Sequence, residues 1–270
     1  MPSPRFLQNK IALVTGASSG IGALTSKLLA AQGLQVILVA RREERLREIT
    51  GEITAEGGNV IYRVCDLSVN ADRIALFNTL ILDHLLPDIL VNNAGIGWYG
   101  YFHDMPWDVA RELLALNIEA TTHLTSLFLP HMLASGYGHI INIGSVAGKL
   151  PEQGVAVYAS SKSFLDSFTT ALFRELSGTN VHVSVLRAGP IKTEFFDAAR
   201  KLKNGGNVPA ERLATSVISV GNAVLGLLKH PKKVVYVPTW MVISPALEYF
   251  FEWAVDLVGP LLLKNQKNKS

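Results

Sequence analysis

Three residues near the middle of the chain have the types and spacing for proton chemistry on an oxygen. Ser145 is followed thirteen residues later by Tyr158, and Lys162 follows Tyr158 by four. Positions four apart share a helix face, so a phenol and an ammonium meet there. An unperturbed phenol titrates at about 10, and a nearby positive charge lowers that value by favouring the ionised form. A serine hydroxyl at the end of a strand can hold a substrate oxygen in place. The set suits general acid/base work on a carbonyl or alcohol oxygen. Many helices carry Tyr-x-x-x-Lys by chance, so the reading depends on what accompanies the pair.

Its companion is the turn Thr15-Gly16-Ala17-Ser18-Ser19-Gly20-Ile21-Gly22, which follows the first apolar run of the chain. A glycine-rich turn between a strand and a helix is where an open α/β sheet places a dinucleotide's phosphates. Gly16 permits the tight turn, Gly20 lets backbone approach the pyrophosphate, and Gly22 permits close helix packing. The helix N-terminus adds N–H donors and partial positive charge. The spacing is G-x-x-x-G-x-G rather than G-x-G-x-x-G. Where NAD binders carry an acid after the second strand, this chain has Arg41 and Arg42. Two guanidinium groups suit a ribose 2′-phosphate, which predicts NADP(H) as the preferred cofactor while still admitting NAD(H). The plain alternative is a basic helix start paired with Glu43 and Glu44. Asp66, at the end of the third strand, is placed to accept from an adenine amino group.

The elements that must position these residues alternate in type. Short apolar runs at residues 10–15, 35–40, 60–66, 88–95, 139–145, 181–186 and 234–237 read as strands. Helical patterns separate them, including a long helix over 107–133 and another over 157–176 that carries Tyr158 and Lys162. Strands alternating with helices of this length predict an α/β, doubly wound, Rossmann-like parallel sheet of seven strands with helices on both faces. With no repeat, low-complexity stretch or linker, residues 1–270 read as a single NAD(P)-binding domain. The segment around 203–207, Lys-Asn-Gly-Gly-Asn, reads as a mobile loop.

Taken together, the motifs resemble the short-chain dehydrogenase/reductase family. They are T-G-A-S-S-G-I-G, then C-D-L at 65–67, N-N-A-G at 92–95, Asn117, Ser145, Y-A-S-S-K at 158–162 and G-P-I-K-T at 189–193, in the family's order. The resemblance covers residues 8–195. It implies an NADP-dependent oxidoreductase acting on CH–OH/C=O groups, with Tyr158 as acid/base and Ser145 holding the substrate oxygen. By the same resemblance Lys162 holds the nicotinamide ribose, and Asn117 holds a water in a relay to that lysine. Ser18, Ser19, Ile21, Leu67, Asn93, Ala94 and Gly95 line the cofactor, and Gly189, Ile191 and Thr193 contact the nicotinamide amide. Ala188 stands where the family commonly has proline. The resemblance also implies a homodimer or homotetramer. A rival reading of another class is a non-catalytic dinucleotide sensor or scaffold on the same fold, which would not need to keep both Tyr158 and Lys162.

Substrate choice falls to the loops after the fourth, fifth and sixth strands. Trp98, Tyr99, Tyr101 and Phe102 follow the fourth, and Phe195 and Phe196 begin a substrate loop over residues 194–215. This aromatic density predicts an apolar or bulky carbonyl or alcohol, of fatty-acyl, steroid, terpenoid or aromatic type, with Trp98 and Phe195 in contact. A C-terminal amphipathic helix over 245–263 carries Glu248, Glu252 and Asp256 on one stripe. Docking of its apolar side on its own domain or another subunit is favoured over peripheral membrane contact, which the basic tail keeps open.

Composition narrows the classes further. A net charge of +3 is too small to argue for nucleic acid. One cysteine, Cys65, excludes an internal disulfide and any multi-cysteine metal site. His103, His131 and His182 lack metal-ligand spacing, so no metal is expected. Neither a secretory h-region nor a membrane-spanning run is apparent, and a cytoplasmic location is the expectation.

Overall fold

The computed structural model describes residues 7–267, with side chains described through Leu257. Seven strands form one parallel sheet: β1 (Ile11–Thr15), β2 (Gln35–Ala40), β3 (Asn59–Val64), β4 (Ile89–Asn92), β5 (Gly138–Ser145), β6 (Val181–Ala188) and β7 (Val234–Val237). The helices are α1 (Gly20–Ala31), α2 (Glu43–Ala55), α3 (Asn70–Leu82), α4 (Trp107–Leu114), α5 (Thr121–Ser135), α6 (Ala156–Glu175), α7 (Phe195–Lys201), α8 (Val217–Lys229) and α9 (Ser244–Lys267). The strand order is β3-β2-β1-β4-β5-β6-β7. The order reverses between β1 and β4, whose register pairs Val14 with Val91. That reversal opens a crevice at the C-terminal ends of the strands, where ligands of such sheets bind.

Alternation along each strand builds two cores. Ala12, Val14, Val36 and Leu38 face one side with Leu29, Ile49, Val220 and Leu227 of α1, α2 and α8. Leu13, Ile37 and Val39 face the other with Leu76, Leu124, Phe128 and Leu172 of α3, α5 and α6.

Four expectations change in the structure. The helix expected over 107–133 is interrupted by a π-helical turn at Ala115–Ala120, and such a turn widens the backbone ladder by one residue. The fourth strand closes at Asn92, because Asn93 and Ala94 give their N–H groups to the Thr15 hydroxyl, each at 2.9 Å, instead of to a neighbouring strand. The substrate loop expected over 194–215 is partly helical, with α7 and a 3₁₀ turn at Pro209–Leu213, while residues 203–207 between them are loop, where Trp98 Nε1 donates to the Lys203 carbonyl at 3.1 Å. β6 also runs on to Ala188, which pairs with Val237 of β7, so alanine in place of proline extends the ladder there.

Candidate active site

The glycine turn is shaped by backbone conformation and by Asn93. Gly16 has φ +64 and Gly20 φ +52, a region that other residues reach only at a cost. A Cβ on Gly22 would lie 2.6 Å from Asn93 Nδ2, so this glycine is needed for packing against the turn. Asn93 Nδ2 donates to the carbonyls of Thr15 at 2.9 Å and Gly16 at 3.3 Å, tying the end of β4 to the turn. A Cβ on Gly20 would meet Thr193 at 3.0 Å, which brings the segment after β6 down onto the same turn.

Arg41 and Arg42 sit at the edge of this cradle, and neither pairs with Glu43 or Glu44. Arg41 reaches Glu112 at 2.9 Å and lies 3.7 Å from Asp66. Arg42 reaches Glu194 at 2.9 Å and Ser18 Oγ at 3.2 Å. Both side chains are about half exposed. Exposed ion pairs of this kind are worth little, so an arriving phosphate can exchange with the carboxylates. The Asp66 carboxylate accepts from the Ser68 N–H and hydroxyl at 3.0 and 2.7 Å. The Cys65 thiol nearby is pushed up to about 12, chiefly by burial, which disfavours the thiolate.

Ser145, Tyr158 and Lys162 converge on the same crevice from β5 and α6. The turn at Val146–Gly148 fixes their relation. Ser145 Oγ accepts from the Ala147 N–H at 3.2 Å, and Ser163 Oγ of α6 donates to the Gly148 carbonyl at 2.7 Å. A Cβ on Gly148 would stand 2.8 Å from the Lys162 carbonyl carbon, so glycine lets this turn lie directly on α6. Lys162 is buried and donates to the Ile143 carbonyl at 3.0 Å. Burial pushes its ammonium down to about 8, with Asp166 opposing that shift.

The expectation that Lys162 lowers the Tyr158 phenol is not met. Burial raises the Tyr158 hydroxyl above its ordinary value, and a hydrogen bond with Ser145 only partly offsets it. The lysine Nζ lies 5.8 Å from the centre of the tyrosine ring and is turned to Ile143. The phenol is therefore protonated at neutral pH, the form that can hand a proton to an oxygen.

Asn117 lies in the π-helical turn and is buried. Its side chain grips Ile96 from both sides: Oδ1 accepts from the Ile96 N–H and Nδ2 donates to the Ile96 carbonyl, each at 3.0 Å. Nδ2 also reaches Ser161 Oγ at 3.1 Å. The amide is thus occupied in joining α6 to the loop after β4. A Cβ on Gly95 would stand 3.0 Å from Asn117 Oδ1 and 3.7 Å from Lys162 Nζ, which places the two side chains behind one glycine.

A cavity of about 700 Å³ joins these parts. The catalytic, cofactor and substrate residues singled out from sequence line it, apart from Gly22 and Asn117, which stand behind its wall; of the aromatic residues after β4, Trp98 lines it and Tyr99, Tyr101 and Phe102 do not. Its far half is mostly apolar, with Leu150, Val155, Leu202, Leu213, Trp240 and Met241, and carries one carboxylate, Glu152. Phe195 packs on Tyr158 with ring centres 5.7 Å apart, and a Cβ on Gly97 would strike the Phe195 ring at 2.5 Å. Leu213, Trp240 and Met241 were not identified from sequence, since no motif marks them. A phosphate-bearing dinucleotide fits the near half. Backbone with positive φ opens the turn, glycines keep it clear of side chains, and two exchangeable guanidinium groups edge it. Among the described residues no group of three His, Cys, Asp or Glu side chains converges as a metal site would require.

The family model for short chain dehydrogenase matches residues 10–204. The chain belongs to the short-chain dehydrogenase family. It is therefore an oxidoreductase by descent, and its seven-stranded parallel sheet is that family's fold. An uncharacterized oxidoreductase of Staphylococcus epidermidis is 32% identical over 84% of this chain and 94% of its own. A Haemophilus influenzae protein named "Probable NADP-dependent dehydrogenase" is 33% identical over 84% of this chain and 91% of its own. The solved structure of a short-chain dehydrogenase from Sphingobium yanoikuyae in complex with NADPH is 30% identical, with a TM-score of 0.78 over 90% of this chain and 95% of that one.

Proposed function

We propose that this short-chain dehydrogenase is an NADP(H)-dependent carbonyl reductase or alcohol dehydrogenase for apolar or bulky substrates. The observation that carries this reading is that one cavity joins Ser145, Tyr158 and Lys162 to an arginine-edged glycine turn. NADP(H), when bound, supplies or takes up the hydride. The Ser145 and Tyr158 hydroxyls hold the substrate oxygen between them. In the reductive direction Tyr158 Oη gives that oxygen its proton. At neutral pH the buried phenol carries that proton. Lys162 Nζ is placed to leave the Ile143 carbonyl for a ribose hydroxyl and to stabilise the phenolate that remains. Asn117 holds the loop after β4 against α6, and a water feeding Lys162 would have to use its backbone carbonyl, because its side chain is already engaged.

Two features support an apolar substrate: the aromatic pair Phe195 and Tyr158, and the apolar far half of the cavity. A small polar substrate would leave that half unfilled.

Arg41 and Arg42 support NADP(H), as do the NADP-related name of the Haemophilus relative and the NADPH complex of the Sphingobium enzyme. The test is cofactor preference in ketone reduction, read as kcat/KM with NADPH and with NADH. The wild type will favour NADPH. Arg41→Asp will cut kcat/KM for NADPH by about 10- to 100-fold, the worth of a lost charge-assisted contact, while that for NADH holds or rises. An unchanged ratio would remove Arg41 from the cofactor site.

A further inference from the structure

The C-terminal helix, kinked at Phe251, turns apolar side chains outward on both sides of the kink. Tyr249, Phe250, Trp253 and Leu257 of α9 are exposed, Tyr249 at 81% and Trp253 at 68%. The side facing the protein instead carries Ser244, which is buried, and Glu248, whose Oε2 is buried without a hydrogen-bond partner. Val255 also faces inward, and its carbonyl accepts from Gln153 Nε2 at 3.4 Å. The expectation that this apolar side docks on its own domain is not met: Tyr249, Phe250, Trp253 and Leu257 stay uncovered, while of the acidic stripe Glu248 turns inward and Glu252 and Asp256 meet water.

The outward face is continuous with the mouth of the cavity. Leu213, Trp240, Ile243 and Leu247 line the cavity and are also exposed, Leu213 at 70% and Trp240 at 58%. Positive charge flanks this rim. Lys201, Lys203 and Arg212 are exposed on the segment that closes over the cavity, and none forms an ion pair among the described residues. Beyond the described side chains the sequence adds Lys264, Lys267 and Lys269. Glu252 and Asp256 are the exposed carboxylates on α9 that oppose them.

We propose that this face docks on an anionic lipid surface, with α9 lying in the plane of the interface and the cavity mouth turned toward the lipid. Trp and Tyr beside Phe and Leu are the mixture that settles at the headgroup boundary. An exposed apolar face flanked by lysines is how a helix binds there without spanning. Among the described residues no helix is long and apolar enough to cross a membrane. A second copy of the chain fits less well, because a two-fold pairing sets a surface against itself and would bring the two basic rims together. One consequence rests on the carbonyl-reductase reading above: an apolar ketone dissolved in the bilayer would reach Tyr158 without crossing water.

Vesicle flotation of the full chain tests the docking without using turnover. The probes are phosphatidylcholine vesicles with and without phosphatidylglycerol. Binding to the mixed vesicles will be at least about tenfold tighter than to phosphatidylcholine alone. Phe250→Asp with Trp253→Asp will weaken it by at least about tenfold, with the circular dichroism spectrum and NADPH binding retained. Lys201→Glu with Lys203→Glu will weaken binding to the mixed vesicles alone. The proposal is overturned if neither vesicle is bound, or if binding survives both pairs of substitutions. It is also overturned if Phe250→Asp with Trp253→Asp splits a dimer into monomers, since that makes a second copy the occupant.

Discussion

Tyr158→Phe will lower the turnover of a ketone with NADPH by about 10³-fold, within the range that a positioned general acid supplies, while NADPH affinity changes no more than a few-fold. The phenylalanine ring keeps the packing against Phe195 and removes only the hydroxyl. What is lost is the proton donor and one of the two hydroxyls that hold the substrate oxygen. Ser145 stays in place through its contact with the Ala147 N–H, and Lys162 through the Ile143 carbonyl. The cofactor cradle is built from β1, α1 and β4 and does not depend on the phenol. Fluorescence titration with NADPH and steady-state turnover therefore separate binding from chemistry. A Phe variant that turns over within tenfold of wild type would remove Tyr158 from the reaction.

Asp166→Asn will destabilise the protein by about 3–5 kcal/mol, because it leaves a buried guanidinium without its charge partner. Asp166 is 1% exposed, and its Oδ1 accepts from Arg187 Nε at 2.9 Å. Arg187 also donates to the Tyr236 hydroxyl, while Lys149 stands 3.6 Å from the other carboxylate oxygen. The pair joins α6 to β6, and it lies one helical turn below Lys162. Urea unfolding followed by circular dichroism measures the loss. Asp166→Asn combined with Arg187→Leu will recover much of it, since removing a whole buried pair is close to neutral. A loss below about 1 kcal/mol in the single variant, or strictly additive losses in the double, would show that the pair is not coupled.

The sheet was legible because its inner strands are buried on both faces and so read as unbroken apolar runs between helical patterns. The site was legible because its parts have fixed spacings: glycines in a turn, Tyr158 and Lys162 one helical turn apart, Ser145 at a strand end. Other features had no such signal. Nothing in Ala115–Ala120 marks a π-helical turn, since its residues suit an ordinary helix, and what distinguishes it is Asn117's tertiary grip on Ile96. The pairing of Asp166 with Arg187 joins two elements at a distance that local pattern does not encode. The periodicity of the C-terminal helix identified an apolar side and an acidic stripe, but periodicity cannot say which side faces the protein. The state of the Tyr158 phenol depended on its burial, with Ser145 opposing, and the four-residue spacing to Lys162 encodes neither.

The central claim is that this chain moves hydride between NADPH and the carbonyl carbon of an apolar ketone. The direct test uses NADPH deuterated at the transferable C4 position with a series of ketones ordered by size and polarity, the alcohols being read by mass spectrometry. The account predicts one deuterium on the former carbonyl carbon, with the highest yield from the large apolar ketones. Tight binding of NADPH with no deuterium in any alcohol across the series would contradict it and return the chain to a dinucleotide-binding role.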